Sequence, residues 1–222
     1  MMKERVLVSW SGGKDSAMAL HELLHEQDYY VVGLLTTVTQ GYDRISMHGV
    51  RRTLLEAQAS AIGLALEQIY ISQKASNEEY EEKMRTVMEN YKTSGVDTVV
   101  FGDIFLEDVR EYREANLARV GMGAIFPLWK RDTRQLAKTF IDLGFRAMTT
   151  CVDTQLLGKE FAGRELDELF FEDLPEQVDP CGENGEYHTF VYDGPIFRQA
   201  VRFRLGESVL REARFYYCDL ID

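Results

Sequence analysis

The stretch that decides the fold is ERVLVSWSGGKDS, residues 4–16, in which a short apolar run is followed at once by six small or charged residues. Glu4–Trp10 is rich in β-branched and apolar residues, which is typical of a strand covered on both faces. Asp15–Glu26 then places apolar residues along one stripe of a helix. The sequence therefore predicts a buried strand that leads, through a glycine loop, into an amphipathic helix.

Strands and helices alternate through the first part of the chain. Further strands are predicted at Tyr30–Val38, Leu66–Ser72, Asp97–Ile104 and Ala124–Trp129. Helices are predicted at Val50–Ile62, Ser76–Ser94, Asp108–Gly121 and Asp132–Gly144. The last three begin at a capping residue, and Glu follows Ser76 and Asp108 by three residues, as in a capping box. Because the alternation is regular, we expect right-handed crossovers and a parallel sheet.

Past Val152 this alternation stops. A stretch rich in proline and glycine leads to extended segments near His188–Tyr192, Ala200–Leu205 and Val209–Tyr217, with Gly206–Glu207 as a turn between the last two. We therefore expect an α/β domain over residues 1–130 and a smaller α+β domain over residues 131–222.

Composition narrows the class of protein. With 37 acidic against 25 basic residues among 222, the net charge is -12, which disfavours binding to nucleic acid or anionic membrane. No apolar run approaches the roughly 18–20 residues that span a bilayer, and the charged opening does not resemble a secretory signal. The cysteines are only three, an odd number, and form no CxxC, which excludes a disulfide framework and a four-cysteine zinc site within one chain. We expect a cytoplasmic protein.

The hexapeptide SGGKDS, residues 11–16, has the composition of an anion-binding loop. Adjacent glycines allow a tight turn, the following helix adds its positive N-terminal dipole, and Lys14 adds a mobile charge. It is not a Walker A loop, because Val8 stands where glycine is needed and Asp15 follows the lysine. The alternative is a plain glycine turn with Asp15 as the helix cap.

Between a strand and a helix, SGGKDS resembles the motif of the PP-loop ATP pyrophosphatases. Those enzymes bind ATP by its terminal phosphates and cleave it at the α-phosphate, releasing pyrophosphate. The resemblance implies a Rossmann-like, five-stranded parallel sheet of the adenine nucleotide alpha hydrolase type, with the first and fourth strands as neighbours. It also implies that the residues in contact with ATP are Ser11, Gly12, Gly13, Lys14, Asp15 and Ser16.

Three further positions are candidates for the nucleotide side. The fourth strand ends in Gly102-Asp103, beyond which ligands of open α/β sheets bind. We expect Gly102 where backbone passes close to ATP and Asp103 near the α-phosphate, the alternative being a simple loop cap. The resemblance places adenine near Thr36, at the end of the second strand. His48 matches a histidine in the corresponding segment of the enzymes that the chain resembles, and is either a pocket residue or a packing residue.

Longer strings resemble one branch of that superfamily, the diphthine–ammonia ligases and their relatives. They are GDIFLEDVREYRE (Gly102–Glu114), FPLW (Phe126–Trp129) and CGENGEYHTFVYDGP (Cys181–Pro195), and the likeness covers essentially the whole chain. The resemblance implies an enzyme that uses ATP and ammonium to convert the carboxylate of diphthine, a modified histidine of elongation factor two, into an amide.

The implied chemistry assigns roles to the glycine loop. The carboxylate attacks the α-phosphate of ATP to form an acyl-adenylate, and ammonia displaces AMP. Pyrophosphate leaves with a large negative charge, which Lys14 and the helix N-terminus would stabilise. Mg²⁺ would bridge phosphate oxygens, with Asp15 or Asp103 as the nearest protein ligand.

The loop at 181–195 is the expected acceptor side. Glu183 or Glu186 would orient ammonium or take its proton, and Asn184 and His188 would contact the substrate. The alternative is an ordinary turn around Gly185. On the helix that begins at Asp108, Arg110 and Arg113 either meet phosphate or form surface ion pairs.

Other functions remain as alternatives. A nucleotide-binding module would keep the glycine loop but needs no acceptor loop, and a ligase in another lineage would act on a different carboxylate. A tRNA-thiolating enzyme would need sulfur-carrying cysteines, for which Cys151 and Cys181 are the only pair in a plausible region. The oligomeric state cannot be read from the sequence.

Overall fold

The computed structural model describes residues 3–41, 43–45, 49–73 and 75–222, which form two sheets flanked by helices. In the first sheet, five strands run parallel in the order β4-β2-β1-β5-β6. The short β3 pairs antiparallel with β2 at Val38 and Thr39. The strands are β1 (Glu4–Ser9), β2 (Tyr29–Thr39), β3 (Arg44–Ile45), β4 (Leu66–Ile71), β5 (Thr98–Val100) and β6 (Gly123–Ile125).

This sheet confirms the expected fold class. The first predicted strand is β1, and it lies between β2 and the fourth predicted strand, β5. Val6 and Val8 pack into one apolar core and Leu7 into another on the opposite face, so β1 is covered on both sides. The strand order reverses at β1, which creates a switch point between β1 and β5.

Six α-helices occur in the described residues, and the residues at which they begin can be compared with the predicted N-caps. The helices are α1 (Lys14–His25), α2 (Arg52–Ile62), α3 (Asn77–Thr93), α4 (Glu107–Ala118), α5 (Thr133–Asp142) and α6 (Glu168–Asp173).

Two of the three predicted side-chain caps are confirmed. The Ser76 hydroxyl accepts a hydrogen bond from the backbone N–H of Glu79 (3.2 Å), and Asp132 accepts one from Gln135 (2.8 Å). The cap at Asp108 is wrong, because α4 begins one residue earlier, with Leu106 at the N-cap and no side-chain cap. The capping box of α3 is only half formed, since the Glu79 carboxylate bonds to Ser72.

The second sheet is antiparallel, with strand order β8-β7-β10-β9. Its strands are β7 (Arg146–Asp153), β8 (Tyr187–Asp193), β9 (Arg204–Arg211) and β10 (Phe215–Ile221). The smaller α+β region expected after the parallel sheet is therefore present. The boundary of the two domains at residue 130 stays a prediction.

The predicted hairpin turn at Gly206–Glu207 is wrong, and so is a strand starting at Ala200. β9 begins at Arg204 and runs through both turn residues. The strand pairing shifts by one residue there, so the glycine lies at a bulge. The chain reverses instead at Glu212 and Ala213, which have φ of 53° and 52°. Because neither residue is a usual choice for positive φ, the sequence gives no signal for this turn.

The two sheets are joined through a shared core and through polar contacts. Residues of both sheets, among them Val8 and Phe190, belong to one apolar cluster. In addition, Asp219 of β10 forms ion pairs of 2.7 Å with Arg44 and with Arg51 beside the first sheet. Within the described ranges, none of the helices is both long and apolar enough to cross a membrane.

Candidate active site

A cleft of about 430 Å³ opens at the carboxyl ends of β1 and β5, at the switch point. It is lined by three segments distant in sequence: the glycine loop, the end of β5 with the start of α4, and the loop that enters β8. The lining residues are Ser9, Ser11, Lys14, Asp15, Ser16, Phe101, Gly102, Asp103, Leu106, Arg113, Gly182, Glu183, Asn184, Gly185, Tyr187, His188 and Thr189.

The glycine loop is held in a fixed conformation. Gly12 has φ of +78°, a region that favours glycine, and a Cβ there would lie 2.7 Å from Oε1 of Gln58. The Ser11 hydroxyl accepts a hydrogen bond from the N–H of Gly13 (3.2 Å) and lies 3.1 Å from the Ser16 hydroxyl. These contacts shape the loop.

Lys14 connects the glycine loop to the second sheet. Its backbone N–H donates to the Thr189 hydroxyl (3.0 Å). Its Nζ lies 2.8 Å from the Asp15 carboxylate and also donates to the carbonyl of Cys181. Burial alone would lower the pKa of Lys14, but the Asp15 carboxylate, together with Cys181 and Tyr187, outweighs burial and raises that pKa. The cleft therefore contains a permanent, nearly buried positive charge.

Gly102 and Asp103 lie opposite the glycine loop. A Cβ at Gly102 would lie 2.7 Å from the carbonyl carbon of Asp15, so glycine is needed for the close approach of these two backbones. Asp103 forms an ion pair of 2.9 Å with Arg113, whose guanidinium lies 4.4 Å from the centroid of the Phe101 ring. Arg113 therefore lines the cleft. Arg110 instead stacks on aromatic rings and pairs with a glutamate on its own helix.

Glu183 crosses the cleft from the β8 side to the β5 side. Its Oε1 accepts hydrogen bonds from the backbone N–H of Ile104 (2.7 Å) and of Phe105 (3.4 Å). Burial raises the pKa of Glu183 to about 7, although the hydrogen bond from Ile104 opposes this shift. A carboxyl group with this pKa is able to take up and release a proton near neutral pH.

Asn184 lines the cleft, whereas Glu186 does not. The Glu186 carboxylate is buried beneath the loop, and its Oε1 accepts hydrogen bonds from Nδ2 of Asn184 (3.0 Å) and from the N–H of Asp179 (3.0 Å). The carboxylate of Asp179 accepts hydrogen bonds from the N–H groups of Cys181 and Glu183. The structure therefore gives Glu186 a supporting position that fixes Asn184.

The remaining predicted site residues do not all lie in the cleft. His188 lines the cleft, and its contact with the substrate stays a prediction. Thr36 is buried within β2 and follows Leu35, the last residue of β2 that pairs with β1. It is not among the residues that line the cleft. His48 lies outside the described residues.

Two family models match the chain. The model described as "Diphthamide synthase N-terminal domain" matches residues 2–124, and the one described as "Diphthamide synthase C-terminal domain" matches residues 132–219. The chain belongs to the diphthamide synthase family. The family resemblance expected from the motifs is thereby confirmed.

Curated relatives of this diphthamide synthase family member are diphthine–ammonia ligases. The chain is 27% identical over 231 residues to that of Danio rerio, covering 93% of this chain and 89% of the relative. It is 25% identical over 184 residues to that of Homo sapiens, covering 79% and 67%. It is 25% identical over 217 residues to that of Schizosaccharomyces pombe, covering 89% of this chain but only 36% of the relative.

Gln58 is a site-supporting residue that the sequence did not reveal in this member of the diphthamide synthase family. It is fully buried on α2, where its Oε1 accepts from the indole N–H of Trp10 (3.0 Å). Its Nε2 donates to the carbonyl of Gly12 (3.0 Å) and to that of Val191 (2.5 Å). Gln58 thus ties the glycine loop to β8. The only hint in the sequence is a polar residue on the apolar stripe of a predicted helix.

The three cysteines are buried. Cys151 and Cys181 are both buried, and burial raises the pKa of Cys151 to about 12 and that of Cys181 well above its usual range. The thiolate is the form that attacks and carries sulfur. Neither cysteine has the low pKa that the tRNA-thiolating alternative requires.

Proposed function

We propose that this chain is an ATP-dependent amide ligase that adenylates a carboxylate and couples it to ammonium, with release of AMP and pyrophosphate. The observation that carries the proposal is the shared cleft, in which the glycine loop and the loop at 182–189 face one another. Family membership and the names of the relatives support ligation. A module that only stores ATP gives no reason for the second loop to line the same cleft.

On the nucleotide side, the glycine loop and Lys14 would bind the terminal phosphates. The charge of Lys14 and the N-terminus of α1 would stabilise pyrophosphate as it leaves. Asp103 and Arg113 lie across the cleft, where Arg113 would contact phosphate oxygens and Asp103 would hold Arg113 in place. In this proposal the carboxylate substrate reaches the α-phosphate between these two groups.

The residues of the cleft fit a Mg²⁺ ion that is shared with ATP. Mg²⁺ in nucleotide sites is held by one or two carboxylates, with phosphate oxygens and water as the other ligands. The candidate carboxylates on the nucleotide side are Asp15, with a side chain 30% exposed, and Asp103, with one 12% exposed. In the described part of the chain, no three His, Cys, Asp or Glu side chains converge into a cage of protein ligands. When bound, the ion would neutralise charge on the phosphates.

On the acceptor side, Glu183 would take a proton from ammonium, so that neutral ammonia attacks the acyl-adenylate. Its pKa of about 7 suits this exchange. Asn184 and His188 would position the substrate carboxylate, and Glu186 would hold Asn184 by its hydrogen bond.

We propose diphthine of elongation factor two as the acceptor where that modification exists, because the relatives are named for this reaction. In a lineage without it, the same cleft would amidate another carboxylate. The buried, reduced cysteines are consistent with a cytoplasmic enzyme.

Product analysis tests the proposal. Purified protein is incubated with ATP, Mg²⁺, ammonium and a diphthine-bearing elongation factor two, and the nucleotide products are separated by chromatography. We expect AMP and pyrophosphate in amounts equal to the amide formed, and none when ammonium or the acceptor is omitted. Release of ADP and orthophosphate, or stoichiometric ATP binding without turnover, would contradict the proposal.

A further inference from the structure

β9 is an edge strand with an exposed apolar centre. It is the last strand of its sheet, and within the described chain only β10 pairs with it. Of its eight residues, all except Gly206 are exposed. Val209 and Leu210 are 44% and 52% exposed, and Leu205 is 53% exposed. An edge strand of this kind presents unpaired backbone N–H and C=O groups to another strand.

The usual protection of an edge is missing from the middle of β9. Natural edges are blunted by proline, lysine, inward-pointing charges or bulges. The bulge of β9 lies at its beginning, where Gly206 and Glu207 face a single residue of β10. From Ser208 to Arg211 the pairing with β10 is regular, so these four residues, with Glu207 of the bulge beside them, form the exposed edge.

We propose that β9 pairs antiparallel with β9 of a second copy of this chain, about a two-fold axis at Val209. A symmetric pair of antiparallel strands has its axis perpendicular to the sheet, and directly opposed residues share one face. The axis must therefore pass midway between a residue and the same residue of the second copy. The residues of the edge that are available for this are 207 to 210.

The charged residues of β9 favour one register for this pairing of two β9 strands. With the axis at Val209, Glu207 lies opposite Arg211 of the second copy, and the same pair forms again by symmetry. The two copies of Val209 then face each other. With the axis at Glu207, two glutamates would be opposed, which is unfavourable. Among the residues of β9, axes at Ser208 or Leu210 form no Glu–Arg pair.

The expected dimer is weak. A five-residue ladder buries less than the roughly 800 Å² per partner of a standard stable interface. We therefore expect a dissociation constant of about 1–100 µM, and a dimer that depends on protein concentration.

Sedimentation velocity of the full chain over about 1–200 µM tests the pairing. We expect the dimer fraction to rise with concentration in the wild type. Glu207→Arg and Arg211→Glu should each abolish the dimer, because each places two like charges opposite one another in both of the symmetry-related pairs. The double variant E207R/R211E should restore it, since the pairs form again with reversed polarity.

The control is Glu176→Arg, which changes the net charge as Glu207→Arg does but lies on an exposed loop outside the second sheet. It should dimerise like the wild type, and circular dichroism should show that all variants are folded. A wild type that stays monomeric throughout overturns the proposal. So does a dimer that survives the single reversals or is not restored by the double one.

Discussion

Lys14 shows at the level of one residue how the cleft is prepared for a polyanion. Its ammonium group is nearly buried, and its oxygen partners are the Asp15 carboxylate and a carbonyl of the opposite loop. We predict that Lys14→Ala lowers ATP affinity and slows pyrophosphate release by about 10²-fold or more, because the leaving group loses a counter-charge. A coupled pyrophosphate assay measures this. Lys138→Ala, which removes an exposed lysine on α5, serves as the control; undiminished turnover in Lys14→Ala would exclude the role assigned to Lys14.

Glu183 should give the reaction a pH dependence. Its pKa of about 7 lies above the ordinary value of 4.5, so its carboxylate form, the base, accumulates only as pH rises through about 7. We predict that amide formation at saturating ATP increases over this range, and that Glu183→Gln removes the increase and most of the activity. Rates measured from about pH 6 to pH 8 check this prediction. An unchanged pH profile in the variant would show that another group is the base.

The same raised pKa of Glu183 affects folding. Between pH 4.5 and about 7 the folded state binds more protons than the unfolded state, so this residue makes stability fall as pH rises. Glu183→Gln should flatten that part of the stability profile, which urea unfolding at several pH values would show.

Gln58 is expected to support both stability and nucleotide binding. Gln58→Met would remove the buried hydrogen bonds that Gln58 makes with the Trp10 indole and the Val191 carbonyl, and would leave the Gly12 carbonyl with the Val191 N–H alone. We predict a loss of about 2–4 kcal/mol in the free energy of unfolding, together with a higher KM for ATP. Urea unfolding and ATP titration measure the two effects. The exposed Gln199→Met should change neither.

Among the elements, α4 and α5 offer a direct comparison of helix caps. Both helices have an aspartate followed three residues later by Glu or Gln, yet only Asp132 caps its helix. We predict that Asp132→Ala lowers the unfolding free energy by about 1 kcal/mol, whereas Asp108→Ala changes it by less than about 0.5 kcal/mol. Thermal or urea unfolding measures the difference. Equal losses would mean that the two helices begin in the same way.

The elements also show how far the sequence predicts this molecule. Buried parallel strands were predictable because continuous apolar runs and a glycine loop are strong local signals. The hairpin of β9 and β10 was not, because its turn uses Glu212 and Ala213 at positive φ while Gly206 serves a bulge. Residues of the cleft were predictable where a motif marks them. The role of Gln58 was not predictable, because it depends on tertiary contacts that no local sequence pattern indicates.

At the scale of the whole molecule, Asp219 ties the second sheet to the first. Burial alone would raise the pKa of Asp219, but Arg44 and Arg51 outweigh it and lower that pKa to about 2. The stabilisation is therefore present above pH 3.8, the ordinary value, and is lost as pH falls towards about 2. We predict that Asp219→Asn lowers stability at neutral pH by about 1–2 kcal/mol, and that its difference from the wild type disappears near pH 2. Unfolding curves of both proteins from about pH 7 to pH 2 test this.

The hydrogen bond from the N–H of Val191 to the carbonyl of Gly12 (2.9 Å) has a consequence for biosynthesis. Synthesis on the ribosome proceeds from the N-terminus, so the glycine loop leaves the exit tunnel long before the strand that braces it. A nascent chain arrested before β8 would carry the residues of the nucleotide side without the opposing wall. Catalytic competence would therefore arise only late in translation, when the last strands have emerged.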